Sequence, residues 1–144
     1  MPHSSQNNLS KIVKIEWSEA ISIDNARIDH QHKRLIAITN NLIEHSNAKA
    51  NSEIISETLQ ELLKYTREHF HDEEALMESL HYPKLAEHKK IHEAFVQKMA
   101  EFCYQVTENE KTVTEELLNF LVNWLLVHTR EDDQDYKNYI WKTR

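Results

Sequence analysis

Residues 69–95 read HFHDEEALMESLHYPKLAEHKKIHEAF, and the fold follows from how this stretch is parsed. His69 and Glu73 stand four apart on one helical segment. After the break at Tyr82-Pro83, His88 and His92 stand four apart on the next. A spacing of four puts both members of a pair on one helix face. Two such pairs on consecutive helices joined by a tight turn can meet at one point in a bundle core, which is how helical proteins build buried metal sites.

The same pattern extends in both directions. Upstream, Ser52 to Leu80 carries the stripe Ile55, Leu59, Leu62, Thr66, His69, Glu73, Leu76, Leu80, so ligating types replace core residues in mid-stripe. Downstream of Pro83 the stripe is Leu85, His88, His92, Phe95, Met99, Phe102, Val106. An earlier helix is expected from the capping pair Asp24-Asn25, with Ile28, His32, Leu35, Thr39 and Leu42 on one face. His32 lies in that stripe, whereas His30 is turned about 200° away from it. It ends in the polar turn HSNAKANS. A fourth helix is expected to start at the capping box Thr112-Val113-Thr114-Glu115 and to bury Leu117, Leu121, Trp124 or Leu125, and then His128. Ile12 to Ile23 is too apolar to stay in water yet has no helical period, which predicts an ordered arm. Residues 1–11 are polar and aperiodic, which predicts a disordered lead-in ahead of a domain spanning 12–144. The fold class is therefore all-α: an antiparallel, up-down-up-down four-helix bundle with an N-terminal arm.

Composition agrees. The 144 residues include no glycine and two prolines, and sheets usually need glycine at their turns. Lys and Arg number 17 against 24 Asp and Glu, a formal charge of -7 with no basic stripe, so neither nucleic acid nor an anionic membrane is an expected partner. The single cysteine, Cys103, fits a reducing compartment, and no apolar run reaches the length of a membrane span or resembles a signal peptide; a cytoplasmic protein is expected. Ten histidines are more than packing needs. His71 and His81 fall off the stripes and read as surface residues, as do the acids Asp72, Glu74, Asp132 and Asp135.

Burying five imidazoles and a carboxylate without compensation costs several kcal/mol per charged or unsatisfied group, roughly, whereas a metal uses their lone pairs. Spacing leaves the last ligand open. Asp132 at i+4 from His128 is favoured by a regular helix, and Asp133 at i+5 reaches that face only where the turn widens.

Read as IDHQHKRL, residues 28–35 resemble the first-helix motif of the hemerythrins. His69-Phe70-x-x-Glu73-Glu74-x-x-Met77, then Tyr82-Pro83, His88 and His92, resembles the second and third helices; Trp124-Leu125-x-x-His128 with Asp133 and Tyr136 resembles the fourth. The likeness covers Trp17 to about Tyr139 and is greatest to the single-domain bacterial members. It implies a non-haem di-iron centre cycling between Fe2+ and Fe3+, bridged by Glu73, Asp133 and an oxo or hydroxo oxygen. His88, His92 and His128 would complete one iron; His32 and His69 would serve the other and leave one position for O2. Leu125, one turn before His128, is a candidate lining residue for the O2 pocket as well as a core leucine. The resemblance implies reversible O2 binding for storage, delivery or sensing, and not enzymatic turnover. The alternatives are an O2 or redox sensory module with a signalling or redox partner, and a di-iron oxidase or peroxidase. Ferritin-like oxidases use Glu-x-x-His pairs and a carboxylate-rich shell, which these histidine-rich pairs do not match. A catalytic zinc needs three protein ligands where seven stand here. The family commonly has glycine just before the first helix; Asp24-Asn25 are the types that best replace it in a left-handed backbone.

Overall fold

A computed structural model of the chain describes residues 13–48, 52–106 and 110–143. The expected disordered lead-in falls outside them, as does the side chain of Cys103. Four long helices form an antiparallel bundle: α1 Ala26–Asn47, α2 Ser52–Ser79, α3 Leu85–Val106 and α4 Glu110–Val127. A π-helical turn, His128–Asp132, joins α4 to α5, Asp133–Thr143, and no strand occurs among the described residues. Each helix packs on its chain neighbour, and α1 also packs on α4, which closes the ring. No helix among the described residues is long and apolar enough to cross a membrane.

The helix ends are made without glycine. Asp24 takes φ 58°, and Asn25 then caps α1 by accepting from the Ile28 amide at 3.0 Å. Asp29 fixes the entry by accepting from the Ile23 amide at 2.9 Å and the Ser22 hydroxyl at 2.5 Å. At the other sharp turn His81 adopts φ 55°. Its amide donates to the Glu78 carbonyl and that of Tyr82 to the Met77 carbonyl, each at 3.0 Å, which is the Schellman closure of a helix C-terminus. Met77 and Tyr82 bury their side chains together across that turn, ahead of Pro83. His81 is thus a surface residue whose backbone does the work usually given to glycine. The capping box reading is corrected: α4 begins at Glu110, so Thr112 lies inside its first turn.

The arm is ordered from Ile15, while Val13 is exposed, contrary to expectation. Ile15 and Ile21 pack on Ile36 and Leu125, beside Trp17. Asn40 clamps the backbone of Ile15 on both sides, accepting from its amide at 2.8 Å and donating to its carbonyl at 2.9 Å. Asn40→Ala should remove both bonds and cost about 1–3 kcal/mol. Urea unfolding of the variant checks this, and an unchanged midpoint would show that the arm is held by its isoleucines alone.

One apolar cluster fills most of the bundle, including Leu42, Leu59, Leu62, Phe95, Met99 and Leu117. A second, built on Ile23, Ile28, Met77, Tyr82 and Tyr136, closes the other end. On every helix the polar candidates lie between residues of these two clusters: His32 between Ile28 and Leu35, His69 and Glu73 between Leu62 and Met77, His88 and His92 before Phe95, and His128 with Asp133 between Leu121 and Tyr136. The four stripes therefore place their polar residues at one depth, and each fully buried Leu or Ile on either side adds about 1.5–3 kcal/mol to hold them there.

Candidate metal centre

All seven predicted ligand positions come together. His32, His69, Glu73, His88, His92, His128 and Asp133 are each no more than 4 % exposed. Their donor atoms form two groups, one of Glu73, His88, His92, His128 and Asp133 and one of His32, His69 and Glu73, with the atoms of each group within 4.8 Å of one another.

Both carboxylates divide their oxygens between the groups. Glu73 turns Oε1 toward Nε2 of His88 and of His92, each at 3.1 Å, and Oε2 toward Nε2 of His32 and of His69, each at 3.4 Å. Asp133 turns Oδ1 toward Nε2 of His88 at 3.2 Å and of His128 at 3.1 Å, and Oδ2 toward Nε2 of His32 at 3.2 Å. The π turn makes the second arrangement possible, because its extra residue brings Asp133 at i+5 onto the face of His128. The choice that spacing left open is resolved by both acids acting. Asp133 faces the interior, and Asp132 accepts from Nδ1 of His128 at 2.9 Å.

The site is electrostatically unusual. Burial alone would lower the imidazole pKa of His32 and His88, but the carboxylates of Asp133 and Glu73 outweigh it and raise each to about 9. His128 is raised for the same reason, and His69, where burial prevails over Glu73, is lowered. Burial pushes Glu73 and Asp133 up, and the surrounding imidazoles win and hold both carboxyls below the usual range. Tyr136 is raised by burial and by the two acids, and donates its phenolic hydrogen to Glu73 Oε2 at 3.0 Å.

Protons alone do not satisfy this arrangement. Among the described residues, both ring nitrogens of His32 and both oxygens of Asp133 are buried without an aligned hydrogen bond. Nε2 of His92 faces Nε2 of His128 at 3.1 Å, which places two lone-pair-bearing atoms toward a common point. The outward nitrogens are tied instead: Nδ1 of His69 to Gln31 Oε1 at 2.8 Å, of His92 to Glu74 Oε2 at 2.8 Å, and of His128 to Asp132. Such bonds put the proton on Nδ1 and leave Nε2 free to ligate. Imidazole with bridging carboxylate suits iron among the common metals. The donor set fits a pair of such ions.

The residue-level reading had placed Asp72, Glu74 and Asp132 in solvent; only Asp135 is exposed. Asp72 accepts from Gln31 and from Arg27, while Glu74 and Asp132 hold imidazoles. Aromatic packing was also missed. Phe70 stacks on His92 with ring centroids 3.7 Å apart, and Trp124 stacks on His128 at 4.3 Å, which leaves Leu125 as the residue buried from that pair. His30, His71 and His81 are exposed, as expected.

The model of the hemerythrin HHE cation binding domain matches residues 24–140. The chain belongs to the hemerythrin family. Its relatives include the bacteriohemerythrin of Stenotrophomonas maltophilia (strain R551-3), 35 % identical over 124 residues that cover 86 % of this chain and 80 % of that one. The bacteriohemerythrin of Pseudomonas aeruginosa (strain LESB58) is 37 % identical over 120 residues, 83 % of this chain and 77 % of its own. The myohemerythrin of Theromyzon tessulatum is 32 % identical over 122 residues, with 85 % of this chain and 90 % of its own covered. In this hemerythrin domain the matched segment contains the whole seven-residue cluster and starts at Asp24, the left-handed residue ahead of α1.

Proposed function

We propose that this hemerythrin domain binds O2 reversibly at a carboxylate-bridged pair of non-haem irons, and that it is a binding protein rather than an enzyme. The observation that carries the reading is the division of both carboxylates between two histidine groups of unequal size. Glu73 and Asp133 would bridge, His88, His92 and His128 would complete one ion, and His32 with His69 would serve the other. An iron pair held by these residues would supply the electrons that O2 binding needs.

The rest is the work of the chain. Counting donors leaves the His32 and His69 end one short, and the cavity that borders it and His128 is lined mainly by apolar side chains, Leu35, Leu62, Phe70, Phe95, Leu121, Trp124 and Leu125, together with Thr39, Thr66 and Thr129. Such a lining excludes water and disfavours the escape of charged products. Of its three threonine hydroxyls two are turned away, Thr66 donating to the Leu62 carbonyl and Thr129 to that of Leu125, each at 2.7 Å, while that of Thr39 has no hydrogen-bond partner among the described residues. Tyr136 fixes Glu73 from the opposite side. With one cysteine and no basic stripe, we place the protein in the cytoplasm with O2 as its ligand.

The test is anaerobic loading with Fe(II), metal counting, and an optical spectrum before O2, after O2 and after its removal. An iron pair per chain and a visible band that comes and goes with O2 are expected. Prompt conversion to a stable oxidised spectrum would overturn reversible binding and favour redox sensing or oxidase chemistry.

A further inference from the structure

The outward nitrogens of three imidazoles, those of His69, His92 and His128, meet partners of different charge, and the difference follows the division between the two histidine groups. His92 and His128 each meet a carboxylate, Glu74 at 2.8 Å and Asp132 at 2.9 Å. His69 meets the neutral amide of Gln31. The orientation of that amide is fixed from its far end, where Gln31 Nε2 donates to Asp72 Oδ2 at 2.8 Å. A carboxylate can only accept there, so the amide oxygen is the atom that faces His69. Nδ1 of His32 has no hydrogen-bond partner among the described residues. Both anionic partners thus serve the group of three histidines, and the partner shown for the group of two is neutral.

A carboxylate on the imidazole N–H draws the proton outward and makes the inner nitrogen a stronger donor, which favours the more positive ion; an amide does so much less. Glu74 and Asp132 are only 24 % and 31 % exposed at their side chains, so water screens their charge in part. We infer that Glu74 and Asp132 are positioning residues that make the His88, His92 and His128 end the more easily oxidised, while Gln31 keeps the O2-facing end harder to oxidise. The inference rests on the di-iron reading and adds to it a built-in redox direction. It also explains why Gln31 is itself held by Asp72: a free amide could rotate and lose the distinction.

Charge and orientation separate experimentally. Glu74→Gln and Asp132→Asn retain an oxygen that can accept from Nδ1 but remove the charge. In iron-loaded protein, anaerobic redox titration should show oxidation made harder in each, by about tenfold in its equilibrium constant, which is about 59 mV for one electron. Glu74→Asp should restore most of the shift. The paired change Gln31→Glu with Asp72→Asn keeps the net charge and moves the carboxylate onto His69; it should make oxidation easier. Circular dichroism and zinc uptake by the metal-free variants verify that fold and site persist. Unmoved potentials in variants that hold their iron would overturn the inference and leave these residues as mere orienters. An unsubstituted chain that holds less than an iron pair would overturn the di-iron reading, and this inference with it.

Discussion

Glu73→Ala and Asp133→Ala are each expected to cut bound iron from a pair to one ion or none, and to abolish the O2-dependent spectrum. Each carboxylate reaches both histidine groups, so its loss removes a ligand from both ions at once. The substitution should also be felt in the metal-free chain. Glu73 and Asp133 are fully buried, and removing one leaves raised-pKa imidazoles with half of their counter-charge. Breaking a buried pair by deleting one partner costs about 3–5 kcal/mol. His30→Ala and His71→Ala lie on the exposed surface, where changes stay within about 0.5 kcal/mol, and should keep their full iron. Metal analysis and urea unfolding of the four variants decide it; equal iron content in all four would refute the ligand assignment.

Removing the metal should destabilise the protein, and by more as pH rises. Metal at about 100 times its Kd contributes about 2.7 kcal/mol, worth roughly 5–10 °C in melting temperature for a chain of this size. In the metal-free chain His32 and His88 have folded pKa values of about 9 against an ordinary 6.5. Groups raised on folding contribute stability that is complete below their unfolded pKa and lost as pH rises through the folded one. The melting temperature of metal-free protein should therefore fall from about pH 6.5 through about pH 9, as the His32 and His88 imidazoliums lose the protons whose charge balances Glu73 and Asp133. Bound metal takes the place of those protons, so the loaded protein should not show this fall, and loading should release protons. Thermal melts of both forms across that range check the prediction. Parallel curves would show that the imidazoles are already neutral in the metal-free fold.

How the chain came to be legible depends on what kind of signal each feature leaves. The four helices, their directions and the six stripe residues His32, His69, Glu73, His88, His92 and His128 are periodic, and period survives in a linear string because each helix folds its own neighbours onto one face. The left-handed step at Asp24 could be anticipated from the family's glycine at that place, which Asp and Asn best replace. The π turn could not, since an extra residue in a helix is invisible to a counting rule that assumes a regular one, and Asp133 was reached only through family resemblance. Nor could the start of α4 at Glu110, where a local capping pattern lost to a longer helix.

The roles of the flanking acids show the boundary most clearly. Asp72 and Glu74 lie beside the stripes and read as solvated; their partners depend on helices brought together from 41 and 18 positions away, Gln31 for Asp72 and His92 for Glu74, whereas Asp132 meets His128 four residues back on its own stretch of chain. By itself the sequence determined an all-α bundle with a buried histidine-carboxylate cluster, because hydrophobic period and ligand spacing are local properties. Tertiary structure alone decided how the two carboxylates share their oxygens and which imidazoles are backed by charge, because those follow from the depth and rotation at which four separate helices pack.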